Sequence, residues 1–593
     1  MAAAAAAAVP SDRLSDLPDD LLIHILSFAP PHEAARTTAL ARRWRRSLWR
    51  ETAAANLDYR SCSGVYDKAL FCAYSRGRVI KKMNISMRGR DITDADLSPV
   101  GDAGVEELRL ECQDGGCPRY TYAGPSPESL WFDINLSLES LPWASLRVLD
   151  LTGCNIPPFP PAEVPDWEYL RYSYMPWHEE PEQQQDIAYD SPPAPAPAPP
   201  RIAFPCLEAL RLRRCAMYLD TLQTMIEGAP RLTNLCLESL SVLQHCMGQL
   251  QICFHLRCPA VAVLVMANLH VHHGMAMSGI HGCSVKLDAP CLRTLRYTQS
   301  MCSDTALSFE SPMPYLERVH IAMHSAGSAP LRRSLLTPNA SHIRFLKLTA
   351  YSIADLAADD GGSPMILPNL ERLEIEELTP CVCPASCHAA AAALMSLLHC
   401  CPVLSELWLK FSWLDYLHKT VQDPVIQAAV VSDFTPCGSV NSDNNEDCCE
   451  GLDLLPELNY CCRLDCLQSS LRRVVLEFDT EELTCFQIQL LKFLACYAVV
   501  AEEVVINGSK GYDSSSIGQK VARWRRDSHN RRLAGKEDDH SVCYHCCEVA
   551  GMLSSSSPPS SLSLSATAPS LWTPSMCEFP HVTMHANSGQ YGE

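Results

Sequence analysis

Two stretches hold the richest sets of thiol and imidazole side chains. CVCPASCH, residues 381–388, offers Cys381, Cys383, Cys387 and His388, and HSVCYHCCE, 540–548, offers His540, Cys543, His545, Cys546 and Cys547. A zinc site needs two well-spaced pairs, such as C-x-x-C repeated 12–20 residues on, and neither stretch has that second pair nearby. The spacing therefore favours ordinary thiols, and no metal or cofactor is expected. Arg42-Arg43-Trp44-Arg45-Arg46 could offer phosphates a set of arginines and bases a ring to stack on; the same run could serve as an import signal. Catalytic patterns are missing: there is no G-x-S-x-G, P-loop or H-E-x-x-H, and NGSKGYDSSS at 507–516 lacks phosphate-loop spacing.

A different kind of chemistry is offered by LPDDLLIHILSF, residues 17–28. Pro18 suits a helix start and Asp19 and Asp20 suit its positive end. Leu21, Leu22, Ile25, Leu26 and Phe28 then fall on one apolar stripe, until Pro30 and Pro31 stop the helix. Farther on, Leu40, Trp44 and Leu48 share a second helical face. A module of some 40 residues is at the lower limit of independent folding. Burying one such side chain is worth roughly 1.5–3 kcal/mol, so the module displays more apolar surface than it can cover by itself. Its natural cover is another protein.

The pattern apolar-x-x-apolar-x-apolar recurs at Val105, Leu146, Leu207, Leu232, Val261, Leu292, Leu316, Ile343, Leu370, Leu404 and Leu471. Steps such as 207 to 232, 316 to 343 and 343 to 370 are 25, 27 and 27 residues, the period of leucine-rich repeats. Each L-x-L is a short strand with its apolar residues inward, and stacking is obligatory because one repeat cannot bury its own face. Cys154 with Ile156, and Cys215 with Met217, occupy the positions where the repeat takes Asn or Cys and then an apolar residue. The fold class expected is α/β: a short helical module followed by an irregular repeat solenoid.

Domain boundaries follow from composition. Residues 1–11 are an alanine-rich start expected to be disordered; 12–50 form the helical module; 51–100 are expected to be linker helices; 101–469 hold the repeats. Pro/Gln-rich 178–200 and acidic, turn-rich 432–453 read as disordered insertions, and the Ser/Pro-rich tail from 534 to 593 likewise. The 593 residues carry a net charge of −20 with 47 % hydrophobic and 20 % charged side chains, an ordinary globular balance without the basic footprint of a general nucleic-acid binder. The 31 cysteines fall below the density of a disulfide scaffold. The start, MAAAAAAAVPSD, lacks the n- and h-regions of a secretory signal. Free, mostly buried thiols in the cytoplasm or nucleus are expected. The longest apolar run, 259–269, is too short to span a bilayer, so no membrane partner is expected. The sequons at Asn84, Asn135, Asn339 and Asn507 then carry no glycan.

The stretch LPDDLLIHILSF…EAARTTALARRWRRSLWR resembles an F-box, the module that binds the Skp-family adaptor of Skp–cullin–F-box ubiquitin ligases. The resemblance rests on the Leu-Pro start, the D-x-L-L-x-x-I-L core, Glu-Ala-x-Arg-Thr and L-x-R-R-W. F-box followed by leucine-rich repeats is similar to a large class of plant proteins, and 470–533 resembles the C-terminal FBD region of that class: strand, amphipathic helix, strand, closing helix. The resemblance implies that Leu17, Pro18, Leu21, Leu22, Ile25, Leu26 and Phe28 face the adaptor. It places Leu40, Arg43, Trp44 and Trp49 on later helices of the same interface or in its core, which gives the RRWRR run a bland role and leaves no nucleic-acid partner. Ala29 stands where the family usually keeps leucine, which shrinks the apolar surface. Through the adaptor the chain would join a cullin, and the repeats would hold an unidentified client, with Arg211, Arg213, Lys347, Glu371 and Glu374 as natural contacts. A non-ligase scaffold and a ligand sensor built on the same repeats remain the alternatives. No catalytic residue is expected in the chain itself.

Overall fold

The computed structural model describes residues 17–39, 44, 48–58, 80–87, 104–112, 134–136, 138–157, 203–244, 252–273, 283–299, 305–323, 335–336, 338–349, 366–378, 394–411, 464–478, 485–508 and 514–533. The alanine-rich start, both expected insertions, both cysteine–histidine stretches, Leu40, Arg43 and the tail lie outside these residues.

Helix α1 spans Asp19–Leu26, with Pro18 in extended conformation just before it and Asp19 and Asp20 in its first turn. Helix α2, Pro31–Arg36, begins on Pro31, a residue suited to the first turn because its missing N–H has no partner there anyway. Leu22, Leu26, Ala34, Trp44, Leu48 and Trp49 close on one another as a small core separate from that of the repeats.

Fourteen strands among the described residues form one parallel sheet in strict chain order. The eleven repeat motifs each supply a strand, from Glu107–Cys112 through Val148–Thr152 and Ala209–Arg213 to Glu406–Phe411 and Arg473–Phe478. Their pairing register is exact enough to follow residue by residue. Leu108, Leu149, Leu210 and Leu235 stack on one inner row, and Leu110, Leu151, Leu212 and Leu237 on the next. The leading residue of each motif, Val105 to Leu471, is also buried. These rows form one continuous core, which no single repeat could build.

Of residues 51–100 the structure describes 51–58 and 80–87, and these hold two strands where linker helices are expected. Ala54–Asp58 and Lys82–Met87 are strands that pair in parallel with each other and with Glu107–Cys112. The same inward pattern drives them: Ala55 and Leu57, then Ile80, Met83 and Ile85, are all buried. At the other end Glu503–Gly508 extends the sheet by the same logic, through Val504 and Ile506 paired to Val474 and Leu476. The FBD-like stretch thus continues the repeat sheet.

Leaving the main sheet requires a sharp turn. Gly153, Arg214, Ser239 and Asn268 each take positive φ directly after a strand, and the chain then enters a second parallel sheet that includes Cys154–Ile156, Ala216–Tyr218, Ser241–Gln244 and His270–His273. Each of these four residues donates its backbone N–H to the following repeat. Gly153 has a steric reason as well: a Cβ there would lie 2.9 Å from the Cys112 carbonyl oxygen.

Asn339, one of the sequon asparagines, is 1 % exposed. Its Nδ2 donates to the Leu335 carbonyl at 2.7 Å and its Oδ1 accepts from the Met313 N–H at 2.9 Å, stitching two repeats together. At the C-terminal end the helix Ser514–Leu533 spends part of its basic charge on structure. Ser528 and Arg532 donate to the Cys496 carbonyl at the end of helix Cys485–Tyr497, and Arg525 donates to that of Ala501.

Candidate functional site

Helix α1 carries two apolar stripes one residue out of phase, so about 100° apart around its axis. The inner stripe is Leu22 and Leu26, 0 % and 5 % exposed; the outer is Leu21, Ile25 and Phe28, 45 %, 44 % and 72 % exposed. Pro18 lies exposed at the head of the outer stripe and Leu17 is half-buried against the module core. The Phe28 and His24 rings meet in a T-shaped pair with centroids 5.1 Å apart, and most of the phenyl group stays open to solvent. Leu22 and Leu26 therefore do not belong with the outward set: a helix this short has one side against Trp44, Leu48 and Trp49, and they occupy it. Trp44 and Trp49 lie in the same core.

Ala29 does not subtract from the outer stripe. It packs partly buried against the module core, and its carbonyl accepts a hydrogen bond from Asn56 Nδ2. Asn56 also donates to the Ser27 carbonyl at 2.5 Å and accepts from Asn84 Nδ2 at 2.6 Å. Two polar residues of the first two strands thus fasten the end of α1 to the sheet. The outer stripe is held at a fixed attitude to the repeats.

The second surface is the open face of the main sheet, made by the residues between the inward rows. Following the register, the central position runs Asn56, Asn84, Arg109, Asp150, Arg211, Cys236, Val265, Arg296, His320, Lys347, Glu374 and Trp408. Of the expected client contacts, Arg211, Arg213, Lys347 and Glu374 stand on this face, Lys347 bridging Glu374 and Glu376. Glu371 precedes its strand and pairs with Arg344 at 3.7 Å. Sequence reasoning passed over Arg296, His320 and Trp408. The Trp408 ring lies between the guanidinium groups of Arg372 and Arg473, at 4.5 and 5.3 Å. The signal was available, since each is the x of an L-x-L motif already counted.

The thiols of the described residues are free, and seven of them are buried. Burial pushes Cys236 and Cys258 up to about 12 and Cys466 up to about 11, so these sulfurs stay protonated and are poor nucleophiles. His320 is held down to about 4, first by burial and then by Lys347 and Arg296. Among the described residues no group of three or more His, Cys, Asp or Glu side chains comes together as a metal site, and no helix is long and apolar enough to cross a membrane.

The F-box domain family matches residues 14–50. An Arabidopsis thaliana F-box/LRR-repeat protein is 30 % identical over 158 residues, 24 % of this chain and 34 % of its own length. A second, putative F-box/LRR-repeat protein of the same plant is 62 % identical over 37 residues, 6 % of this chain and 7 % of its own. An F-box/FBD/LRR-repeat protein, also from Arabidopsis, is 30 % identical over 110 residues, 17 % of this chain and 25 % of its own. The matched stretches span about a third or less of these relatives.

Proposed function

We propose that this chain, whose residues 14–50 match the F-box domain family and which is similar in part to plant F-box/LRR-repeat and F-box/FBD/LRR-repeat proteins, serves as the substrate-receptor subunit of a Skp–cullin–F-box ubiquitin ligase. The observation that carries the proposal is the outer stripe of α1. Three large apolar side chains stand exposed within eight residues of a matched F-box domain, on the flank beside its core. Apolar anchors set among polar neighbours make a docking site of the helix-in-groove kind. The adaptor covers this stripe and links the chain to a cullin; the open sheet face holds the client. The chain itself is not catalytic. Holding the client beside an activated ubiquitin carrier raises the effective concentration of the reacting groups. The working compartment is the cytoplasm or the nucleus.

Reconstitution tests this. The full chain, a purified Skp-family adaptor and a cullin are mixed and resolved by gel filtration. One ternary complex is expected. Ile25→Asp/Phe28→Asp should abolish it while Arg296→Glu, far along the sheet, leaves it intact. Absence of any complex with the wild-type chain would remove the ligase reading and leave the scaffold alternative.

A further inference from the structure

The central row of the open sheet face is electrically unlike the rest of the molecule; Glu107, Glu111 and Glu238 stand on the rows beside it. The chain as a whole carries −20. Yet the central positions from Arg109 to Lys347 hold Arg109, Arg211, Arg296 and Lys347 against the single carboxylate of Asp150. Acidic side chains return to that row only at Glu374.

Asp150 explains how Arg109, Arg211 and the neighbouring Arg213 are set in place. Its side chain is 3 % exposed, and it meets Arg109 Nε at 3.2 Å and one terminal nitrogen each of Arg211 and Arg213 at 3.9 Å. A buried carboxylate needs such compensation. These contacts are between charges, without a hydrogen bond to either carboxylate oxygen; each arginine side chain is about half-exposed, although Arg213 Nε is itself buried. Glu238, 3.6 Å from Arg213 Nε, draws on one of the three. Farther along, Arg296 is exposed and makes no ion pair among the described residues. Preorganised forks of this kind match carboxylates in a bidentate way.

On the reading that this face holds the client, we infer that the client presents an acidic peptide segment, which lies across the sheet from the Arg109–Asp150–Arg211–Arg213 cluster to Arg296. Neighbouring strands are roughly 4.8 Å apart, so the five strand steps from Arg109 to Arg296 cover about 24 Å. An extended segment of about seven residues spans that distance. A peptide fits better than a nucleic acid. No Phe, Tyr or Trp stands on the central row between Arg109 and Lys347 to stack bases.

The test uses the full-length chain and fluorescence anisotropy. The probes are a labelled twelve-residue peptide of alternating acidic residues and alanine, its Asn/Gln counterpart, and a single-stranded RNA of equal charge. The acidic peptide should bind, its neutral counterpart should not, and binding should weaken with salt. Arg296→Glu should weaken it roughly fivefold or more without changing the circular dichroism spectrum. Equal binding of the acidic and neutral peptides, an unchanged affinity in Arg296→Glu, or tighter binding of the RNA would each overturn the inference. Adaptor binding measured on the same samples separates the two readings. If the acidic peptide binds as expected while the adaptor does not, the ligase reading fails and the acidic-segment site stands.

Discussion

Replacing Leu22 should cost folding, whereas replacing Ile25 and Phe28 should cost only association, although all three sit within seven residues on or beside one helix. Leu22 is 0 % exposed in a core of six buried residues. Leu22→Ala leaves a cavity there, and such truncations cost about 2–5 kcal/mol, most of what a module this small can hold. Ile25 and Phe28 are 44 % and 72 % exposed, so the fold has recovered only part of their transfer free energy. If the adaptor buries the remainder, the two together contribute about 2–3.5 kcal/mol at roughly 1.5–3 kcal/mol per fully buried side chain. That corresponds to roughly 30- to 300-fold in affinity. Hydrogen exchange of residues 17–58 in each full-length variant, with isothermal titration of adaptor into the same samples, makes the comparison. Leu22→Ala should lose protection throughout the module. Ile25→Ala/Phe28→Ala should keep wild-type protection and lose affinity. Equal loss of protection in both variants would refute the division of α1 into a core flank and a docking flank.

Other predictions concern the repeats. Gly153→Ala combines a φ of +73° with a Cβ 2.9 Å from the Cys112 carbonyl, so it should cost about 2 kcal/mol or more, seen as a lower urea midpoint. Asn339→Ala removes both hydrogen bonds of a buried amide and leaves the Met313 N–H and Leu335 carbonyl unmatched. About 2–4 kcal/mol should be lost, while Asn369→Ala, which breaks an exposed bond to the Ser341 carbonyl, should change the midpoint little. For His320 the folded value near 4 lies below the ordinary 6.5. The unfolded chain therefore binds the extra proton first, and stability should fall as pH drops from about 6.5 to about 4, by at most about 1.4 kcal/mol per pH unit. Urea titrations at several pH values should show that slope flattened in His320→Gln.

Much of this architecture is legible in the sequence because its physics is one-dimensional. A strand every two dozen or so residues, with an apolar residue at each inward position, produces the parallel sheet whatever fills the intervening turns. All eleven recognised motifs became strands of it. The three strands passed over obey the same rule with weaker letters. Thr52, Ala55 and Leu57, and Ala501, Val504 and Ile506, put a small or polar residue where leucine is expected; Ile80, Met83 and Ile85 match the pattern outright. In the F-box, the stripe on α1 was visible, but its division was not. A periodicity of 3.6 says that Leu21, Leu22, Ile25 and Leu26 share a broad face; which edge goes inward is decided by Trp44, Leu48 and Trp49 from outside the helix. Ala29 misled for a similar reason, since its direction is set by the turn after α1 and by Asn56, not by its own side chain. The grouping of Arg109, Arg211 and Arg213 about Asp150 depends on register between strands separated by long insertions, which no local pattern encodes.

The most direct measurement is calorimetric titration of a purified Skp-family adaptor into the purified full-length chain at several temperatures. The expected result is a one-to-one complex with a dissociation constant of about micromolar or tighter and a negative heat-capacity change, the mark of apolar surface leaving water. No heat of binding at any temperature, from a chain shown to be folded, would contradict the central claim that the exposed flank of LPDDLLIHILSF exists to be covered by the adaptor.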